Sequence, residues 1–157
     1  MKILGKRGLS GALEFVMLTL AAAMLVCMAA MPWLIKFVAN GYDRADRFGL
    51  TTHYTESVIF FDYCALFAAG ALWQCARILR NINREQPFVS DNVARLRKIA
   101  ICFAAEAFGF ALASIVIHTI SLPVFALLFA VFALLMLVCA ELFRRAVAYK
   151  EENELTI

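Results

Sequence analysis

The chain has 157 residues, 64% of them hydrophobic and 17% charged, with a mean hydropathy of +0.80 and a formal net charge of +3. Soluble domains carry about 45–50% apolar and about 25% charged residues, so this composition suits lipid. It excludes a secreted disulfide scaffold, a disordered tail and a nucleic-acid-binding domain, and it can supply four spans of ~20 apolar residues across a ~30 Å hydrocarbon core.

The first apolar run extends from about residue 12 to 38, behind Lys2, Lys6 and Arg7. A cleavable signal has an apolar stretch of about 7–15 residues; this run is longer and continues past Pro32 and Trp33. Val26 stands where a lipoprotein signal needs a small residue before Cys27. The run reads as a retained transmembrane helix, with Trp33 anchoring it near one interface. Polar sequence follows over residues 39–56. Asn40-Gly41 marks a turn, and Asp43 and Arg47 sit at the i,i+4 spacing of a short helix.

The second span is expected over residues 57–79. Beyond it Arg77, Arg80 and Arg84 lie at i, i+3, i+7 and share one helix face. Gln86-Pro87-Phe88 breaks the chain, because a proline disfavours helix in the residue before it, and Ser90 can cap a new helix. That helix carries Arg95, Arg97 and Lys98 into a third span over 99–117. From residue 90 to 117 it would measure ~42 Å, so its first turns stand outside the ~30 Å core. A five-residue link, His118 to Leu122, then makes the third and fourth (123–143) spans an antiparallel hairpin, and a polar tail begins at Tyr149.

The expected fold is therefore all-α, a polytopic four-transmembrane-helix antiparallel bundle forming a single membrane domain. Twelve Lys and Arg fall on the side holding both termini and the 80–98 connection, and three on the other, with Lys36 counted among them. Positive residues are retained in the cytoplasm, so both termini and that connection are expected to be cytoplasmic, in a bacterial inner membrane. Arg77, Arg80, Arg84, Arg95, Arg97 and Lys98 form a basic collar there. Such a collar sets topology and rests on anionic headgroups, or it receives an acidic partner.

Ionisable side chains inside a span are functional candidates by default. Glu141 has Arg144 and Arg145 at i+3 and i+4, the spacing of an interfacial ion pair, and Glu14 is expected to reach headgroups near Lys6 and Arg7. Asp62 lies ~8 Å below the outer end of the second span and Glu106 ~10 Å above the inner end of the third, which assigns them to opposite halves of the membrane. Glu106 matches the depth of Gln74 and borders the small-residue stripe Ala105, Gly109 and Ala113, so it is expected to face the bundle interior and to hydrogen-bond Gln74. Asp62 and Glu106 read either as helix–helix contacts or as stations on an ion or proton route.

Catalytic patterns are missing. His53 and His118 show neither HExxH spacing nor a cysteine cluster, and Gly8-Leu9-Ser10-Gly11 is not a nucleophile elbow. The five cysteines fall singly in apolar runs as small hydrophobes. No enzyme activity, cofactor or metal is expected.

Two stretches carry a family resemblance. Residues 86–99, Gln86-Pro87-Phe88-Val89-Ser90-Asp91-Asn92-Val93-Ala94-Arg95-Leu96-Arg97-Lys98-Ile99, and the ending Glu151-Glu152-Asn153-Glu154-Leu155-Thr156-Ile157 together resemble an uncharacterised bacterial membrane family, domain of unknown function 2975. The second has Glu154 where Asp is more usual. The resemblance implies four spans with a long first loop and an association with a helix-turn-helix transcriptional regulator; it supplies no catalytic or ligand residues. The expected partners are thus the lipid bilayer, a cytoplasmic protein and a second copy of the chain, with no direct nucleic-acid contact. The acidic ending is expected either to fray or to fold back on Arg77, Arg80, Arg95 and Arg97. A small transporter or ion-coupled channel subunit using Asp62 and Glu106 is the alternative function.

Overall fold

The computed structural model describes residues 9–41, 54–84, 86–116 and 120–154. They form four α-helices and no strand: α1 (Leu9–Gly41), α2 (Tyr54–Asn83), α3 (Ser90–Val116) and α4 (Ser121–Glu154). At 1.5 Å per residue they measure about 50, 45, 40 and 51 Å, each longer than a ~30 Å hydrocarbon core. Each is also long and apolar enough to cross a membrane. In hydrocarbon a spanning segment must satisfy its backbone internally, which a continuous helix does. The short helix expected to carry Asp43 and Arg47, His53 and His118 lie outside the described residues.

The helices pack in chain order, α1 on α2, α2 on α3 and α3 on α4, each antiparallel to the last. Among the described residues α1 and α4 do not meet, so the four-helix arrangement is an open row. Two opposite stripes of α2 account for this. Ala69, Ala76 and Asn83, at seven-residue intervals, lie with Arg80 toward α1, while Tyr63, Gln74 and Asn81 turn toward α3. The buried α2 side chains, Ser57, Ala65, Ala69, Ala71 and Ala76, are all small, as close helix approach in lipid requires. An aromatic run ties α2 to α4 through α3: Phe60 meets Phe110 edge-on at 5.1 Å, and Phe110 stacks on Phe129 at 5.3 Å.

Large apolar side chains cover the outside, Phe15 and Trp33 each 72% exposed. In water such continuous apolar surface would drive aggregation; in a bilayer it matches the solvent. The chain is a multi-pass membrane protein.

Asp91 and Glu56 stand in the first turns of α3 and α2, and Arg80 in the last turn of α2, each complementing the helix dipole. The helix break at Gln86-Pro87-Phe88 and the restart at Ser90 are observed as expected. The first residues of the acidic ending are helical: α4 continues through Glu154, with Glu151 and Glu152 exposed along it, and residues 155–157 lie outside the described residues.

Candidate functional site

Polar side chains gather at two levels. The first is the end of the row where α1 starts, α2 ends, α3 starts and α4 ends. Arg80 Nε donates to Glu14 Oε1 at 2.8 Å, and Asn83 Nδ2 donates to Glu14 Oε2 at 2.8 Å. The Ser10 hydroxyl in turn donates to Asn83 Oδ1. Glu14, expected to reach headgroups, is thus held by α2: an antiparallel neighbour ending in Arg80 and Asn83 brings two donors to both carboxylate oxygens. Replacing Glu14 by leucine should destabilise the α1–α2 contact by about 2 kcal/mol, because Arg80 and Asn83 lose their acceptor together. Denaturant titration in mixed micelles measures this, and an unchanged midpoint refutes it.

Between α2 and α3 the same end is closed by amides. Asn81 Nδ2 donates to Asn92 Oδ1 at 2.7 Å and to Asp91 Oδ2 at 3.0 Å, and Asn92 Nδ2 donates to the Pro87 carbonyl at 2.8 Å. Arg95 donates from Nε to Asp91 at 2.8 Å and from Nη1 to Gln74 Oε1 at 3.1 Å. Gln74 therefore serves Arg95, and the expected Glu106–Gln74 bond does not form. Asn81 and Asn83 carry no sequence signal beyond being amides near a helix end, and Asn92 only its place in the 86–99 stretch, so their role as the latch was not legible.

The basic collar divides accordingly. Arg80 and Arg95 are consumed in ion pairs. Arg84 lies near Glu14 and Arg77 near Asp91. Arg97 and Lys98 are exposed on α3 with no ion pair among the described residues. On α4 Glu141 takes both arginines expected of it: Arg144 donates at 2.6 and 2.8 Å, and Arg145 at 3.4 Å. Beside them Val93, Ala140 and Val147 form a buried apolar cluster with Leu96 and Phe143 against it, joining the first turns of α3 to the last turns of α4.

The second level is mid-membrane. The tight turn at 84–89 fixes the α2–α3 register: Tyr63 Oη donates to the Ala105 carbonyl at 2.7 Å, and Cys102 Sγ lies 3.6 Å from where a Cβ on Gly70 would stand. Glu106 consequently faces Cys64, ten residues or ~15 Å along α2 from Gln74. This also corrects the depth assignment. Glu106 and Asp62 are at nearly the same level, and both lie far from the amide latch. They flank α2 on opposite sides, since Asp62 falls seven residues before Ala69 on the α1-facing stripe, whereas Cys64 faces α3. Glu106 does face the interior, at 3% exposure. Its Oε2, Asp62 Oδ1 and Ser57 Oγ are buried without a hydrogen-bond partner. The small-residue stripe works as expected at Gly109, where any side chain would run into the Tyr63 ring. An apolar cleft of about 350 Å³ opens between α2 and α3, with Tyr63 and Gly109 in its wall and Glu56 at its edge.

All five cysteines are free, and no group of three or more His, Cys, Asp or Glu among the described residues is placed to hold a metal ion. No curated protein and no solved structure matches the chain. A family profile described as "Protein of unknown function (DUF2975)" matches residues 15–157, nearly the whole length and both stretches quoted above. Four apolar helices, a latched polar end and a carboxyl buried at mid-span are thus the structural features of a chain that belongs to this family of unknown function.

Proposed function

We propose that this small integral membrane protein is a regulatory or interaction component, and that its collar end binds an acidic surface of a cytoplasmic protein. In this reading both termini and the α2–α3 turn are cytoplasmic and the membrane is a bacterial inner membrane. The observation that carries the reading is the division of the collar. Four of its six cations are occupied with, or lie near, carboxylates of the latch, while Arg97 and Lys98 project from a helix start that the latch holds rigid. Exposed charges on a preorganised support steer and orient a partner more than charges on loose loops. A helix-turn-helix transcriptional regulator, the association that the family resemblance implies, is the partner to look for first.

The competing reading, a transporter or channel subunit, has less support. The described helices form an open row with no enclosed path through it, and transporters are typically built from broken helices and inverted repeats.

The test is crosslinking and affinity capture of the intact protein from its native membrane. Arg97→Glu combined with Lys98→Glu should cut recovery of the crosslinked partner at least about tenfold, the loss expected from reversing two rim charges, with thermal unfolding unchanged. Equal recovery by the double variant would remove the basis of the reading.

A further inference from the structure

Glu106 sits near the middle of the apolar part of α3, seven residues after Ile99 and ten before Val116. It is 3% exposed, and Oε2 has no partner. The groups facing it are few. From α2 come the Cys64 thiol and the Tyr63 phenol, and from α3 itself the Cys102 thiol. At this level α4 contributes aromatic hydrocarbon, Phe125, Phe129 and Phe132. None of these groups is a cation, and the arginines nearest along the seam are occupied: Arg95 is bound to Asp91 and Gln74. An ionised carboxylate with no counter-charge in the bilayer interior is costly, so the neutral acid is the form these surroundings hold.

The unpartnered polar atoms are also distributed unevenly. Ser57 Oγ, Asp62 Oδ1 and Glu106 Oε2 all lie from the level of Cys64 toward the Tyr54 end of α2. At the opposite end the side chains of Asn81, Asn92, Gln74, Arg95, Glu14, Arg80 and Asn83 are bound to one another. Ser57 is 1% exposed and stands two turns, ~10 Å, before Cys64 on the same face of α2. Buried polar atoms without partners are where water or an ion is held. Toward the Tyr54 end, Glu106's side of α2 therefore offers the Ser57 hydroxyl as a hydrogen-bonding station, Asp62 lying across α2 on the α1 side, and the other end is closed by the amide and guanidinium latch.

We propose that Glu106 is a proton-binding site in the middle of the membrane, loaded from the Tyr54 end of the molecule through the level of Ser57 and closed toward the latch. The ligand is the proton itself. Access from one side makes the site a reporter of the proton concentration on that side and not a path across the membrane.

A hydrophobic carbodiimide tests this on the unmodified full chain. Dicyclohexylcarbodiimide partitions into lipid and reaches the seam by the cleft that Tyr63 lines. It reacts with a protonated carboxyl: the acid oxygen bonds the central carbon of N=C=N, the proton passes to a carbodiimide nitrogen, and the resulting O-acylisourea rearranges to a stable N-acylurea. In sealed lipid vesicles, with orientation read from protease access to an epitope placed after Ile157, peptide mass mapping should find the adduct on Glu106. Glu14 and Glu141, held as carboxylates by arginines, should stay unmodified. Raising the pH on the side of Tyr54 from mildly acid to alkaline should lower Glu106 labelling at least about fivefold, and the same change on the side of Glu154 should leave it unaltered. Ser57→Val should slow the response to the pH step while reaching the same final labelling. The proposal is overturned if Glu106 is not modified in an acid bath, if labelling follows the pH on the Glu154 side, or if Ser57→Val responds as fast as the parent.

Discussion

Replacing Gly109 by valine is expected to force α2 and α3 apart and to cost about 3 kcal/mol, the upper end of what overpacking a filled interior costs. A Cβ built on Gly109 would overlap the Tyr63 ring, with Cδ1 2.9 Å away. That ring cannot swing aside freely, since its hydroxyl is bound to the Ala105 carbonyl at 2.7 Å and it packs on Phe67 with ring centroids 4.8 Å apart. Reversible denaturant titration in mixed micelles gives the loss directly.

The background in which the substitution is made decides whether the ring is the cause. In Tyr63→Phe the ring remains, held by Phe67, and only the hydroxyl bond is lost, about 1 kcal/mol, so Gly109→Val should cost most of what it costs in the parent, reduced by the freedom the untethered ring gains. In Tyr63→Ala the space is open, and the two changes should couple by about 2 kcal/mol, within the range for residues in contact. Additive losses in the Tyr63→Ala background would mean that the close approach at Gly109 is not what holds the seam.

Most of the fold was legible because lipid makes it so. Backbone groups that cannot bond to solvent must bond along their own helix, so apolar run length predicts helices, and Pro87 with Ser90 predicts where α3 starts. The Glu141 ion pairs were legible for a similar reason: their partners are one turn away on the same helix. What could not be read was anything set by register between helices. Matching Glu106 to Gln74 assumed that α2 and α3 are related by their membrane boundaries. They are related instead by a six-residue turn, which brings Asn81 against Asn92 and slides every later pairing by ten residues of α2. The same error put Asp62 and Glu106 in opposite halves of the membrane. Glu14 was read from the cations near it in sequence, Lys6 and Arg7, whereas the partner it binds, Arg80, arrives from 66 residues away.

Register is therefore the property to test, and Asn92 is the residue on which it rests. Asn92 is 0% exposed; it accepts from Asn81 Nδ2 and donates to the Pro87 carbonyl, while its own backbone N–H donates to the Val89 carbonyl at 3.0 Å. One side chain thus ties the last turn of α2, the turn and the first turn of α3. Asn92→Leu keeps the number and branching of the side-chain heavy atoms and removes both side-chain bonds, leaving the Pro87 carbonyl without its amide partner. The expected loss is about 3 kcal/mol, since each buried group left without its partner costs about 1–3 kcal/mol. Asn81→Leu alone should cost less, because Asp91 keeps its bond from Arg95. Combining the two should cost less than their sum, because once the Asn81 donor is gone the Asn92 oxygen has no bond left to lose on that side. Amide exchange supplies the second readout: the Gln86 and Asn92 N–H groups, bonded at 3.1 and 3.0 Å within the turn, should exchange faster in Asn92→Leu while those of α1 do not change. If instead the turn amides keep their protection and stability falls by less than about 1 kcal/mol, the amide latch is ornamental and the register must be held by Gly109 and Tyr63 alone.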